Sequence, residues 1–200
     1  LYGIDWDRGY SYTPHPDERA ILSHAGELTF PSFNEISEIF KWSAVSILNS
    51  TVDLVEPRNL PKLLNANESS WNPRWFPYGS LPLYLLNTVQ TTYEKFFGTS
   101  LDDLRSAARA LSALADVGTV TFVYLLARKL YGRREAVLSS LLVSLAVLHI
   151  QLSHFFAVDT VLVFFLVGSV YFMCRVATEG RFRDSVLSGL FIGMGISTKI

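Results

Sequence analysis

The stretch Ala136-Val-Leu-Ser-Ser-Leu-Leu-Val-Ser-Leu-Ala-Val-Leu-His-Ile-Gln-Leu-Ser-His-Phe-Phe-Ala-Val158 decides the fold, because residues 136–158 contain no Lys, Arg, Asp or Glu. A helix half exposed to water would carry charge along one face over such a length, whereas roughly 20 consecutive apolar residues match the hydrocarbon thickness of a bilayer. Three further apolar runs flank it, at residues 110–127, 160–174 and 185–198. The 200-residue chain is 50% hydrophobic, with most of its charge and Pro placed before about residue 104. These features predict an all-α integral membrane protein with two regions. Residues 1–104 form a first loop bearing amphipathic surface helices, and residues 105–200 carry four transmembrane helices, at about 105–127, 136–157, 159–175 and 185–200. The alternative, buried helices of a large soluble protein, fits the uncharged run poorly. The chain starts at Leu1 and its last apolar run is cut at Ile200, so it is expected to be a piece of a longer protein.

The links between the runs set the orientation. Arg128-Lys129-Leu130-Tyr131-Gly132-Arg133-Arg134 joins the first to the second, and Arg175, Arg181 and Arg183 lie between the third and fourth. Short loops rich in Lys and Arg stay cytoplasmic, so both links should face the cytoplasm. Residues 1–104 and Asp159 should then be extracytoplasmic. Within that first loop, Ser32-Phe33-Asn34-Glu35 has the Ser-x-x-Glu pattern of a capping box, followed by Phe33, Ile36, Ile39, Phe40, Ala44 and Ile47 at helical spacing. A second amphipathic segment runs over residues 82–97, with Leu86, Val89, Tyr93 and Phe96 on one face. Both should lie along the membrane surface. Asn49-Ser50-Thr51 and Asn67-Glu68-Ser69 are formal N-glycosylation sequons.

A net charge of −1 and the lack of a Gly-rich phosphate loop or paired-Cys motif argue against nucleic acid as a partner. Cys174 is the single cysteine. The chemistry-bearing residues are instead acids. Asp17 and Glu18 follow Pro16, a residue favoured at the first position of a helix, and Ile21, Leu22, Ala25 and Leu28 supply that helix's apolar face. The helix dipole would keep both carboxylates ionised, ready to act as a general base or to hold a divalent metal, or simply to serve as first-turn acids. Arg109 and Asp116 are seven residues apart and share one face of the first span. Asp116 is deep and should contact another helix, while Arg109 near the outer surface could grip a lipid phosphate. His149, Gln151, Ser153 and His154 gather before Asp159, as at the rim of a cavity, with satisfied hydrogen bonding favoured over metal ligation for His154. Lys199 returns to the outer side after one more span.

The order of several segments resembles a known family. His15-Pro16-Asp17-Glu18, Tyr78-Gly79-Ser80-Leu81-Pro82-Leu83-Tyr84, Phe97-Gly98 and Arg109-Ala110-Leu111-Ser112-Ala113-Leu114 come first. Tyr124-Leu125-Leu126-Ala127-Arg128-Lys129-Leu130-Tyr131-Gly132, the segment from His149 to Asp159, and Gly189, Gly193 and Thr198-Lys199 follow. The pattern is similar to the membrane glycosyltransferases of the GT-C fold, in the protein O-mannosyltransferase and aminoarabinose-transferase-like group. The resemblance implies a span before Leu1 and more after Ile200. It implies a catalytic acid at Asp17, a partner acid at Glu18, a second-loop acid at Asp159, and donor-phosphate contacts at Arg109 and Lys199. His154 and Gln151 would line the cavity rim, and a divalent metal, where one is used, would sit on Asp17 and Asp159. Relatives often carry Lys-Pro-Pro or His-Pro-Pro where this chain has Gly79-Ser80-Leu81-Pro82.

The implied reaction moves a sugar from a polyprenyl-phosphate donor to an acceptor hydroxyl on the extracytoplasmic side, with inversion. Its setting is a multi-pass protein of the plasma or inner membrane in a prokaryote, or of the endoplasmic reticulum in a eukaryote. Two other classes compete. A secondary transporter would use Asp116, Arg109 and Asp159 as an ion or proton relay, and a non-catalytic scaffold would keep the fold without the chemistry.

Overall fold

A computed structural model describes residues 15–29, 31–48, 60–65, 67–98 and 104–199. The sequon Asn49-Ser50-Thr51 lies outside them, as do the side chains of Ala44 and Ile47. The described residues form eight α-helices and no strand. These are α1 (Pro16–Glu27), α2 (Phe33–Leu48), α3 (Leu81–Phe97), α4 (Leu104–Leu130), α5 (Arg133–Ser144), α6 (Val147–Ser153), α7 (Val158–Glu179) and α8 (Phe182–Thr198), with one 3-10 turn at Lys62–Leu64.

Two helices are long and apolar enough to cross a membrane, α4 with 27 residues and α7 with 22. At 1.5 Å per residue α7 reaches about 33 Å, the depth of a hydrocarbon core. The run that opened the sequence reading is not one straight helix. It divides into α5 and α6, which meet at a 60° bend and together qualify as a third, broken span. The Ser140 and Ser144 hydroxyls bond back to the carbonyls of Val137 and Leu141, a competition with the helix ladder that favours bending. Ala146 is then extended, with ψ 121°. The last run forms α8, with 17 residues.

α7 packs between α8 and α4, and α5 lies against α4. The α4–α7–α8 interface is built from rings. Phe122 on α4 meets Phe164 at 5.6 Å and Phe191 at 5.5 Å, and Phe172 meets Phe191 at 5.2 Å. Glycine makes room for them: a Cβ on Gly168 would sit 2.4 Å from the Phe191 ring. Small residues that let helices close on bulky neighbours are a feature of helix packing in lipid. The outward faces carry Leu114, Val117, Leu138, Leu142, Leu148 and Ile196, all exposed apolar side chains that water would not favour but acyl chains would.

The first loop is fastened to one end of this bundle. Ile21 and Ala25 of α1 and Leu28 just after it are buried with Leu83 and Leu86 of α3, Ala108 of α4, Phe156, and Val158 and Val161 of α7. The apolar stripe read for α1 therefore faces protein rather than lipid. Asn87 of α3 donates to the Leu28 carbonyl at 2.7 Å and closes the end of α1. α3 buries Leu83 and Leu86 and leaves Phe96 and Phe97 exposed at its far end. The capping box of α2 forms as the sequence predicts. The Ser32 N–H donates to the Glu35 carboxylate at 2.8 Å and the Glu35 N–H to the Ser32 hydroxyl at 3.3 Å. Those bonds from Ser32, the backbone one foremost, hold the Glu35 carboxyl below its ordinary range. α2 keeps Phe33 and Phe40 exposed, as a helix lying on a surface would.

At the opposite end the two basic links come together. Glu179 at the end of α7 faces Lys129 at 2.5 Å, Arg181 at 3.2 Å and Arg175 at 3.5 Å, and Arg175 also reaches Asp184 at 3.3 Å. Both links thus lie at one end of the bundle and the first loop at the other.

Candidate active site

Glu18 organises the end that carries the first loop. Pro16 opens α1, and the Nδ1 of His15 accepts from the Glu18 N–H at 3.4 Å, which places Asp17 and Glu18 in the first turn. Successive residues of a helix point about 100° apart, so the two acids diverge. Glu18 turns inward and is fully buried. Arg109 of α4 meets it with two parallel bonds, Nε to Oε1 at 2.7 Å and Nη2 to Oε2 at 2.8 Å, and both side chains are 0% exposed. Oε1 also accepts from the Phe156 N–H at 3.1 Å, in the link between α6 and α7. One carboxylate therefore joins three segments that lie far apart in sequence. The fork-to-fork geometry is the strong form of such a pair.

Asp17 turns the other way, toward Tyr78. The Tyr78 phenol lies within the electrostatic reach of Asp17, Asp159 and Lys199. Burial first, then Asp17, push the Tyr78 phenol above its usual value of 10. It stays protonated, and so a donor, across the neutral range. Asp159, in the first turn of α7, and Lys199, the residue after α8, form an ion pair at 2.5 Å with 53% and 45% of their side chains exposed. The link before α3 is pinned to the end of α8 by the Gly79 N–H, which donates to the Thr198 carbonyl at 3.1 Å.

The structure thus brings together Asp17, Asp159 and Lys199 around Tyr78, with Glu18 and Arg109 beneath them. The remaining sequence-derived candidates stand apart. His154 puts its Nδ1 2.6 Å from the Ile150 carbonyl of its own helix. Gln151 is exposed on α6. Asp116 contacts another helix as anticipated, through His149 of α6 at 2.7 Å. Arg109 sits near the start of α4, at the end that carries the first loop, with its side chain buried and two of its N–H groups on Glu18. Among the described residues, no three His, Cys, Asp or Glu side chains gather to hold a metal ion. Sequence reasoning gave Tyr78 no role, although it stands directly before the Gly79 that departs from the expected pattern.

The family that its sequence matches makes this helical membrane protein a membrane glycosyltransferase of the mannosyltransferase type. The chain is a member of the dolichyl-phosphate-mannose-protein mannosyltransferase family, whose model matches residues 95–200. That match takes in Arg109, Asp159 and Lys199, while Asp17, Glu18 and Tyr78 precede it. No curated protein and no solved structure matches the chain.

Proposed function

We propose that this protein transfers a sugar from a polyprenyl-phosphate donor to an acceptor hydroxyl at the extracytoplasmic surface of the membrane, inverting the anomeric centre. The observation that carries the reading is the meeting of Asp17 with Asp159 and Lys199 around Tyr78, at the end of the bundle away from the basic links. Asp17, half-buried at the start of α1, is the base. It takes the acceptor's proton as the acceptor oxygen forms its bond to the anomeric carbon. The bond from that carbon to the donor phosphate breaks, and the lipid phosphate leaves with the electron pair. A departing phosphate needs a cation rather than a proton, and exposed Lys199 supplies one, with Asp159 holding it in place before the donor arrives. Glu18 and Arg109 take no part in the chemistry; they fix the first turn of α1 to the bundle.

A transporter relay is less well supported, because Arg109, Asp116 and Asp159 each close on a different partner, Glu18, His149 and Lys199. Full-length protein in vesicles should move radiolabelled mannose from a polyprenyl-phosphate donor to an acceptor and should not use a nucleotide sugar directly. Transfer from the nucleotide sugar alone, or none from either, would discard the reading in favour of another donor or a scaffold.

The sidedness has its own test. In a Cys174→Ser background, a thiol label that cannot cross membranes should modify a cysteine introduced at exposed Ser70 in intact cells and spare one at Tyr131, which is 75% exposed beside the basic link. The reverse pattern would turn the protein over and move the site to the cytoplasm.

A further inference from the structure

We propose that the end of the bundle opposite the first loop is a binding surface for anionic phospholipid headgroups, which its two basic links hold together. Residues 128–135 and 175–184 carry seven Arg and Lys side chains against three acids, Glu135, Glu179 and Asp184. The acids of the second link are already taken. Glu179 faces Lys129 at 2.5 Å, Arg181 at 3.2 Å and Arg175 at 3.5 Å, and buried Asp184 faces Arg175 at 3.3 Å. Arg128, Arg133, Arg134 and Arg183 form no ion pair with another described residue, and all four are exposed. The fold gains nothing from where three of them stand. Arg133 and Arg134 open α5 and Arg183 is the second residue of α8, first turns in which the helix dipole disfavours a cation. The surplus positive charge is matched by an anion from outside the chain.

The apolar side chains beside these arginines select the partner. Leu130 at the end of α4, Tyr131 just after it and Phe182 at the start of α8 each expose more than half of their surface. They stand at the level where α4 and α7, the two helices long and apolar enough to cross a membrane, come to an end. A nucleic acid or an acidic protein would approach from water and leave those three side chains unmatched. A bilayer surface matches both kinds of residue. Aromatic rings settle among headgroups, and arginine stems run along apolar surface while their guanidinium forks reach phosphate oxygens. The Lys129–Glu179 pair ties the end of α4 to the end of α7, so the unpaired arginines of both links share one neighbourhood. A zwitterionic headgroup offers a phosphate whose charge its own ammonium cancels. Four guanidinium groups without counter-ions therefore favour headgroups of net negative charge.

The test equilibrates the full-length protein in detergent with an equal mixture of phosphatidylglycerol and phosphatidylcholine, repurifies it, and counts the bound lipids by mass spectrometry. Phosphatidylglycerol should exceed phosphatidylcholine at least about threefold at low salt. The ratio should approach parity at about 1 M salt, where the screening length falls to about 3 Å. Replacing Arg128, Arg133, Arg134 and Arg183 together by Gln should bring it near parity at low salt, whereas Arg19→Gln, on exposed α1 surface at the other end, should leave it unchanged. The combined variant keeps Lys129, Arg175 and Arg181 and their joint on Glu179, so it should insert as the wild type does. Should it fail to fold, the salt dependence of the wild type decides alone. A wild-type ratio near parity at low salt, or an enrichment that neither salt nor the combined variant lowers, overturns the proposal. Displacement of phosphatidylglycerol by excess inorganic phosphate at constant ionic strength also overturns it, since the surface would then take a free anion and not a lipid.

Discussion

Arg109→Ala should loosen the protein before it slows any reaction. Glu18 and Arg109 are both 0% exposed and share two bonds under 3 Å. Deleting the guanidinium leaves a carboxylate in the interior with the Phe156 N–H as a remaining donor. Removing one partner of such a pair costs about 3–5 kcal/mol, because the stranded charge has lost its hydration and its counter-ion together. Most of that cost should fall on the joint between α1, α4 and the α6–α7 link. Limited proteolysis of the first loop and the midpoint of thermal unfolding in detergent would both register it. Glu18→Gln should be milder, since the amide oxygen still accepts a hydrogen bond where the carboxylate did. Pairing Arg109→Met with Glu18→Leu should recover much of the loss, because a pair of buried ions can be exchanged for apolar side chains of similar volume. Arg109→Lys should recover little, as a point charge cannot occupy both oxygens of the carboxylate. An Arg109→Ala protein as stable as wild type, yet unable to use the lipid-phosphate donor, would return Arg109 to the phosphate site that its sequence position suggested.

The partners of Arg109 show where sequence reasoning ran out. The two-turn spacing of Arg109 and Asp116 put both on one face of the span but did not say which residues they would meet, Glu18 at a separation of 91 residues and His149 at 33. Local patterns specify local bonds: Ser32 with Glu35 forms the cap that its spacing announces, and Pro16 starts α1 where proline should. Long-range pairs depend on how helices dock, which periodicity does not encode. The uncharged run of residues 136–158 was legible as membrane-compatible by composition. Its 60° bend was not: it falls between Ser144, whose hydroxyl bonds back to the Leu141 carbonyl, and His149, whose partner Asp116 lies on α4, 33 residues away. Tyr78 is a third case. Its chemistry is ordinary until Gly79 brings it against α8, and a glycine in sequence does not say what it must approach.

Asp17→Asn should have the largest effect on turnover with the least effect on the fold. The amide has the shape of the carboxylate and leaves the Glu18–Arg109 pair one residue away untouched. What it loses structurally is one favourable charge in the first turn of α1, worth about 0.3–1 kcal/mol at a helix N-terminus. What it loses chemically is the ability to accept a proton at neutral pH. General-base catalysis contributes about 10²–10⁴-fold in rate, so transfer should fall by at least two orders of magnitude while the thermal midpoint scarcely moves. The donor should still bind, since Lys199 and Asp159 are unchanged, so the loss should appear in kcat and not in KM. Asp159→Asn offers the contrast. It frees Lys199 from its ion pair without removing a base, and its effect should fall mainly on KM for the lipid-phosphate donor. Single-turnover transfer with saturating donor separates the two outcomes. Near-normal kcat in Asp17→Asn would mean that the acceptor's proton leaves by another route, with Asp159, the other acid beside Tyr78, the next residue to test as base.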